Sequence, residues 1–448
     1  MKRRQFLERS IGAVALLGSR RLASQTAARP NIILITASGW RGQTLPDGED
    51  RGIEAPNLRQ LVREGALCRR AYTANPASSP ARVSLLTGRF PHLCGVLAAG
   101  MRMPPGEITI AEELQEAGYR TGYIGEWNLD GEASPGFVPP GERRQGFSFW
   151  AAANRNRRNF GSQYFRNEPE PLRGSGFDPD FQTGLAIEFI QRNHAGPFFL
   201  ALGWAPPDGP REAPPEYAAR YVAGDQHLRF NVPAAGAARA QRLQAGYFAM
   251  CSALDAGLGR ILEAVEESGI SEKTVVVFTS DRGEMLRSHG LDGDGSFHEE
   301  SVRVPLVIRY PAAIPAGSAL EAPVSICDVA PTLLAAAHLP KRSGIQGRDL
   351  SGALMRGEAG SSESVYCQGR LGTAEEWRMV VRGLDKVVVD RNLEISHLFN
   401  LGQDPYEMEN LAEAKGQTRK RDELSAIMQD WMKRSSDRIL PSGLKLRD

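Results

Sequence analysis

Short apolar segments alternate with helical patterns along most of this chain, and this alternation constrains the fold more than any other feature. The strand candidates are 31–36, 121–124, 198–202, 274–278 and 305–308. Apolar runs of this length are typical of strands that are buried on both faces of a sheet. The order predicts an α/β fold, with a mostly parallel central sheet flanked by helices. Ligand-binding groups should follow the carboxyl ends of the strands.

The helical patterns carry recognisable start and stop signals. Thr109 and Glu112 have the spacing of a capping box ahead of an apolar helix face. Apolar residues recur at helical spacing from Leu254 to Val265, and Gly269 supplies a stop.

The character of the sequence changes near Ser364. Segments 377–381 and 386–389 are typical of short alternating strands, and 418–433 is typical of a helix. We therefore predict an α/β domain at 29–363, followed at 364–448 by a small antiparallel sheet with a closing helix.

The N-terminus predicts export. Lys2-Arg3-Arg4-Gln5-Phe6-Leu7 precedes a short apolar stretch at 11–17, a pattern typical of a twin-arginine signal peptide. We predict that 1–28 is this signal and that the protein is periplasmic or secreted. No apolar run reaches about 18 residues, so no transmembrane helix is expected.

Charge and cysteine content narrow the choice further. The net charge is +1, which gives no indication of a nucleic-acid partner. The five cysteines are odd in number and have no close metal-type spacing. Buried or free thiols are therefore predicted, with a single disulfide left open. The cysteines are Cys68, Cys94, Cys251, Cys327 and Cys367.

Six ordered segments resemble the sulfatases of the alkaline phosphatase superfamily. The segment Ser78-Ser79-Pro80-Ala81-Arg82, followed by the letters VSLLTGR, resembles the sulfatase signature of Cys or Ser, any residue, Pro, any residue and Arg. The other segments are RPNIILIT at 29–36, GYRTGYIG at 118–125, GPFFLALGWAPP at 196–207, VVVFTSDRGEMLRSHGL at 275–291 and EESVRVPLVIR at 299–309. The resemblance implies the fold predicted above and a hydrolase of sulfuric esters.

The resemblance assigns Ser78 to the nucleophile position and Arg82 to its support. In the family, a Cys or Ser at that position is oxidised to formylglycine. An unmodified serine is a weak nucleophile unless a base or a metal activates it. Ser78 could equally be an ordinary helix N-cap residue.

Family members bind one divalent cation, usually calcium, through three Asp and an Asn or His. The matching positions here hold Ser38, Gly39, Asp281 and Arg282. Only Asp281 can supply a carboxylate, and a guanidinium cannot ligate a cation. We therefore expect Asp281 to pair with Arg282 or to cap a helix, and we expect the metal site to be lost.

The sulfate-binding and proton-transfer positions are also replaced. Glu126 and Asp294 stand where the family has lysines, and Asn128 and Asp208 stand where it has histidines. Asn128 cannot act as a general acid, and the carboxylates cannot attract sulfate.

The formal charge of the predicted cleft is negative. Four carboxylates would face only the two guanidiniums of Arg82 and Arg282. Two like charges about 4 Å apart repel by roughly 4 kcal/mol at an effective dielectric constant near 20. A sulfate ester should therefore be repelled.

Three functions remain open. The first is an exported pseudo-sulfatase without a cofactor, whose candidate ligand is an anionic glycan or a sulfated small molecule. The second is an active sulfuric ester hydrolase that uses Ser78 and gathers calcium through Glu126, Asp208 or Asp294. The third is an acidic pocket for a cationic ligand. Arginines and aromatic residues between Arg143 and Arg166 could bind an anionic glycan, although a solvated loop explains them as well.

Overall fold

The computed structural model describes residues 29–46, 48–131, 136–155, 158–357 and 364–439 of the 448-residue chain. The predicted signal peptide at 1–28 lies outside the described residues. No described helix combines the length and the apolar character needed to cross a bilayer.

The structure is an α/β protein, as predicted. The strands are β1 (Asn31–Ser38), β2 (Ala66–Cys68), β3 (Ala71–Tyr72), β4 (Arg120–Glu126), β5 (Phe149–Ala153), β6 (Gln163–Tyr164), β7 (Leu172–Arg173), β8 (Phe198–Pro207), β9 (Thr274–Thr279), β10 (Arg303–Val304), β11 (Leu306–Arg309), β12 (Ser318–Leu320), β13 (Val324–Ser325), β14 (Ser364–Gly369), β15 (Trp377–Arg382), β16 (Asp385–Asp390) and β17 (Ile395–Asn400). The α-helices are α1 (Pro56–Glu64), α2 (Ser78–Thr87), α3 (Pro91–Cys94), α4 (Ile110–Glu116), α5 (Asp178–Asn193), α6 (Pro215–Ala218), α7 (Ala237–Glu267), α8 (Glu299–Val302), α9 (Val329–Ala336), α10 (Ser351–Arg356) and α11 (Thr418–Arg434).

The central sheet has eight strands in the order β12-β2-β11-β9-β1-β8-β4-β5. The run from β9 to β5 is parallel, whereas β11 pairs antiparallel with both β9 and β2. All five predicted strands are present. The run at 305–308 corresponds to the antiparallel member, which apolar content alone does not distinguish from a parallel one.

Both faces of the central sheet are covered, and the period of a strand explains why. Ile32 and Leu34 point into the core shared with α2, α4 and α9. Ile33 and Ile35 point into the opposite core, shared with α1, α5 and α7. Successive side chains alternate between faces, so a strand buried on both sides must be apolar throughout.

Side chains cap the N-termini of α4 and α1, and only a cap that is close in sequence can be predicted. The predicted capping box is confirmed: Thr109 accepts from the Glu112 N–H, and Glu112 accepts from the Thr109 N–H. Helix α1 has no such local cap. Its first N–H groups, on Asn57 and Leu58, donate instead to the Asp255 carboxylate of α7, at 3.1 and 2.7 Å.

A four-stranded antiparallel sheet, β14 to β17, follows the central domain, and α11 packs on β15 and β16. Beyond α11, the buried Asp437 carboxylate accepts from Arg378 Nε at 2.5 Å and Nη2 at 2.9 Å, and it also contacts Tyr366. This contact fixes the described C-terminal residues on the sheet. The predicted domain boundary at Ser364 remains a prediction, although β14 begins at that residue.

The five cysteines are free and buried, so none forms a disulfide. His92 on α3 connects this short helix to β14 and to the end of α11, because its ring contacts Gln368 Oε1 at 2.9 Å and the Ser435 carbonyl at 2.8 Å.

Candidate functional site

The carboxyl ends of four adjacent parallel strands place the predicted cleft residues together. In sheet order β9-β1-β8-β4 these ends carry Asp281, Ser38, Asp208 and Glu126. The Asp208 N–H donates to the Ser38 carbonyl at 2.9 Å, which ties two of the strand ends to each other. The cleft therefore lies where a doubly wound sheet is expected to bind its ligand.

Asp281 is fully buried, and hydrogen-bond donors surround it. The Ser38 hydroxyl donates to its two carboxylate oxygens at 3.1 and 2.9 Å, and the Gly39 N–H donates at 3.3 Å. Arg82 Nε donates to Oδ2 at 3.3 Å. The prediction that Asp281 pairs with Arg282 or caps a helix is wrong, because its ionic partner is Arg82 of α2.

Arg82 joins Asp281 to Glu126, the last residue of β4. Its Nη2 lies 2.7 Å from Glu126 Oε2, and its Nη1 also contacts the Glu126 carbonyl. Burial opposes the charge of this guanidinium, but Glu126, Tyr123 and Asp281 outweigh burial and raise the pKa of Arg82. Arg82 is therefore a fixed cation.

Arg282 forms the second ion-paired group of the cleft. Its Nη2 lies 2.5 Å from Asp208 Oδ2, and its Nε lies 2.6 Å from Asp294 Oδ2. The two carboxylate side chains are 43% and 39% exposed, whereas the Arg282 side chain is 5% exposed. The acids therefore form the mouth of the cleft, and the guanidinium lies beneath them.

The surroundings fix the charge state of this group. Burial opposes the charge of Arg282, but Asp294, Asp208 and Asp281 raise its pKa well above the ordinary value. Burial raises the pKa of Asp294, against the lowering effect of Arg282. Gly39 has a φ of +83°, and a Cβ placed there would come within 3.2 Å of Arg282 Nη1, so a glycine suits the packing of the guanidinium.

A further ion pair beside the cleft was not predicted from the sequence. Arg211 Nη2 lies 3.1 Å from Glu284 Oε2, and its guanidinium carbon lies 5.5 Å from the Tyr247 ring centroid. Glu284 contributes to the raised pKa of Arg282. Glu284 lies two residues after Arg282 in the sequence, and this proximity indicates that it lies near the cleft.

The structure places Ser78 at the start of α2 and Asn128 just after β4. Ser78 is half-buried and is the first residue of α2, one helical turn before Arg82, so the N-cap residue is Ala77 rather than Ser78. The neighbouring Ser79 hydroxyl donates to the Asn128 carbonyl at 2.7 Å. Asn128 Oδ1 has no hydrogen-bond partner among the described residues.

The calcium that the resemblance implies does not fit these residues. A calcium ion takes six to eight oxygen ligands. Around Asp281 the structure places a hydroxyl, a backbone N–H and two guanidiniums, which act as donors or cations. The nearest additional carboxylates, Glu126, Asp208 and Asp294, are each paired with an arginine.

Among the described residues, one other group has ligand atoms close enough to hold a metal ion: those of His289, Glu300 and Glu407 lie within 4.8 Å of one another. Two cations already contact its carboxylates. Lys386 Nζ lies 2.6 Å from Glu407 Oε1, and Arg229 Nε lies 2.8 Å from Glu300 Oε1.

Protonation further reduces the need for a metal in that group. Burial raises the pKa of Glu407 to about 7, although Lys386 opposes this. A proton at neutral pH can therefore balance the charge without a dication. Together with Lys386 of β16, the group joins α8 to the loop that follows β17, consistent with a structural role for His289.

The arginines between Arg143 and Arg166 are largely used within the fold. Arg143 pairs with Asp130, and the buried Arg144 donates to the Val138 carbonyl at 3.1 Å. Arg166 lies over the Phe149 ring, 5.4 Å from its centroid. Arg157, also part of that stretch, lies outside the described residues.

Comparison with protein families gives two matches. The family described as "Sulfatase" matches residues 30–339. The family described as "N-sulphoglucosamine sulphohydrolase, C-terminal" matches residues 288–434. Together they span nearly all of the described chain.

Individual relatives give the same answer. An ulvan-active sulfatase of Formosa agariphila is 32% identical over 333 residues, which cover 72% of this chain and 64% of that protein. An N-acetylglucosamine-6-O-sulfatase of Bacteroides thetaiotaomicron is 25% identical over 95% of this chain and 90% of its own length. Thus the chain matches less than two thirds of the first relative.

Solved structures share the fold. A putative sulfatase from Bacteroides fragilis superimposes with a TM-score of 0.84 at 26% identity, covering 92% of this chain and 97% of that one. A protein solved in complex with its substrate D-glucosamine-2-N,6-O-disulfate superimposes with a TM-score of 0.82 at 23% identity, covering 93% of this chain and 100% of that one.

Proposed function

The chain belongs to the sulfatase family, and from this premise we propose that it is an exported, catalytically impaired member that binds a glycan without hydrolysing sulfate esters. The observation that carries the proposal is the position of Arg282. Its guanidinium is buried beside Asp281 and is held by Asp208 and Asp294.

Charge supports this function over sulfate ester hydrolysis. The cleft holds four carboxylates, two on each guanidinium. A sulfate ester would approach this net negative charge without a dication to offset it, and like charges at contact distance repel by roughly 4 kcal/mol at intermediate dielectric constant. An enzyme needs the opposite, which is fixed positive charge where negative charge develops.

The proton-transfer groups give a second line of support. No hydrogen bond of the described residues joins Ser78 to a base, and Asn128 has no titratable proton. Arg82, which would support a formylglycine, is instead occupied by Glu126 and Asp281.

One observation favours the alternative, an active sulfuric ester hydrolase with a rearranged site. Ser78 and Arg82 keep their one-turn spacing at the start of a ten-residue helix. A helix N-terminus is favourable for an anion. In this alternative, a dedicated maturation enzyme with its own oxidant would remove two electrons and two protons from Ser78 and convert it to formylglycine.

The glycan part of the proposal draws on the relatives, whose names refer to ulvan and N-acetylglucosamine. Export draws on the twin-arginine pattern at the N-terminus. A periplasmic or secreted location follows from that pattern.

Three measurements on the purified full chain test the proposal. We expect less than 0.1 equivalent of calcium by elemental mass spectrometry, an unmodified Ser78 in the tryptic peptide, and no turnover of an aryl sulfate above a protein-free blank. Ser78→Ala is the matched variant for turnover. Stoichiometric calcium together with hydrolysis that Ser78→Ala abolishes would establish the alternative instead.

A further inference from the structure

A small aromatic surface lies apart from the ion pairs of the cleft. Phe230 is 75% exposed, and its ring centroid lies 5.8 Å from that of Tyr406. Met408, two residues after Tyr406 in the loop between β17 and α11, is 56% exposed. We call these three residues the Phe230 surface.

Buried polar contacts hold the two loops of the Phe230 surface together. Asn231, next to Phe230, is 3% exposed, and its Nδ2 donates to the Tyr406 carbonyl at 3.2 Å and to Glu300 Oε1 at 2.8 Å. The Arg229 guanidinium lies 5.0 Å from the Tyr406 ring centroid. The exposed ring is therefore held on a fixed support, as a binding surface requires.

The same loop reaches both the Phe230 surface and the mouth of the cleft. The His289 N–H donates to the Asn231 carbonyl at 2.7 Å, and the loop from 283 to 295 closes through the Met285 N–H and the Gly293 carbonyl at 3.0 Å. Asp294, which pairs with Arg282, lies at the end of this loop. A ligand that extends from the cleft can be contacted by residues that this loop positions.

The charges around the Phe230 surface are mainly acidic. Asp404 and Glu409 lie in the Tyr406 loop, where Asp404 Oδ2 accepts from the Glu409 N–H at 2.8 Å. Glu49 is 38% exposed, but its carboxylate pairs with both Arg229 and Arg303 and adds no excess negative charge. Among the described residues, Asp404 and Glu409 have no ion-pair partner, so their negative charge disfavours a sulfate group here and favours hydroxyl or ammonium donors.

The size of the surface selects a small ligand. A stable protein partner needs about 800 Å² on each side, and three side chains provide much less. One aromatic ring with flanking carboxylates suits a single sugar ring, whose C–H face packs on the aromatic and whose hydroxyls donate to the acids.

We propose that the Phe230 surface binds an unsulfated sugar, neutral or amino, within a glycan chain. This proposal rests on the glycan ligand of the proposed function, but it does not depend on whether the cleft hydrolyses sulfate esters. A working sulfatase cleft and a functional Phe230 surface would give separate results, because turnover and binding are measured independently.

The experiment is calorimetric titration of the full chain with paired hexasaccharides, each in an unsulfated and a 6-O-sulfated form, with chitohexaose as one of the pairs. We expect an unsulfated form to bind at least tenfold more tightly than its sulfated partner. Phe230→Ala should weaken this binding at least tenfold, and Phe230→Tyr should retain it. Leu172→Ala, which alters an exposed apolar residue on the β6–β7 hairpin, is the matched control and should change nothing.

Tighter binding of the sulfated forms would overturn the proposal. So would equal affinity of Phe230→Ala and wild type, or no binding of any unsulfated hexasaccharide. The melting temperature of each variant shows whether Phe230→Ala has kept its fold.

Discussion

Replacing Arg282 with glutamine removes the cation that Asp208 and Asp294 share, and it also removes positive charge near Asp281. Breaking a buried ion pair by removing one partner costs about 3–5 kcal/mol. Because Asp208 and Asp294 are 43% and 39% exposed, solvent screens part of this. We expect a loss of about 2–3 kcal/mol after that discount.

The expected change in melting temperature follows from the size of the chain. An unfolding entropy of roughly 2 cal/mol/K per residue gives about 0.9 kcal/mol/K for a protein of this length, so 1 kcal/mol corresponds to about 1 °C. The Arg282→Gln variant should therefore melt about 2–3 °C below the wild type.

Calcium should reverse this loss in the variant alone. Without the guanidinium, several carboxylate oxygens face one another, and these are the ligands that calcium prefers. At a concentration of about 100 times Kd the ion stabilises the folded state by about 2.7 kcal/mol, or about 3 °C. Arg282→Lys keeps the positive charge and should not respond.

The assay is a thermal melt in EDTA, in magnesium and in calcium. Arg309→Gln is the matched control, because Arg309 is similarly buried and pairs with a Glu64 that is 38% exposed, outside the cleft. The reasoning fails if the wild type gains as much from calcium as Arg282→Gln does, or if Arg282→Gln melts at the wild-type temperature and ignores calcium.

Three further predictions concern stability. Asp437→Ala removes one of the two carboxylates that pair with the buried Arg378, while Glu376 remains, and should cost about 1–3 kcal/mol in urea unfolding. Burial opposes the charge of Asp437, but Arg378 lowers its pKa below 3.8, so the stabilisation is present above pH 3.8 and is lost as the pH falls through the lowered value. Burial raises the pKa of Glu407 from 4.5 to about 7, so between these pH values the folded state holds a proton that the unfolded state has released. The free energy of unfolding of the wild type should therefore fall as the pH rises from 4.5 to about 7, and Glu407→Gln should flatten that fall. Asp255→Ala on α7 removes the acceptor for the first N–H groups of α1 and should cost about 1–2 kcal/mol by thermal melting. Glu266→Ala, which changes an exposed residue of α7, should be neutral.

Local patterns predicted much of the fold. Alternating environments of Ile32 and Ile33 explain why a continuous apolar run is a strand with two buried faces. The Thr109 capping box needs only residues that are close in sequence, so it could be recognised directly. The strand ends also brought the cleft residues together as expected, because parallel neighbours end at the same edge.

The sequence placed the four carboxylates against Arg82 and Arg282, but which carboxylate pairs with which arginine could not be predicted in the same way. Arg82 and Asp281 are 199 residues apart, and their contact depends on how α2 crosses the strand ends. The nearer candidate, Arg282, points instead to Asp208 and Asp294. Sequence adjacency is a weak guide here, because neighbouring side chains leave a strand end in different directions.

The two ion-paired groups explain why a single substitution at Arg282 should not create a cleft that binds sulfate. Each group has one guanidinium and two carboxylates, so each carries an excess negative charge that favours another cation or a proton. Burial raises the pKa of Asp294, and the neighbouring Asp208 adds to this effect against the lowering effect of Arg282. Replacing Arg282 alone with a metal ligand would leave positions 38 and 39 without carboxylates, and Glu126 would still pair with Arg82. Sulfate binding therefore requires several positions to change together, whereas calcium binding in Arg282→Gln requires only that the carboxylates already present lose their guanidinium.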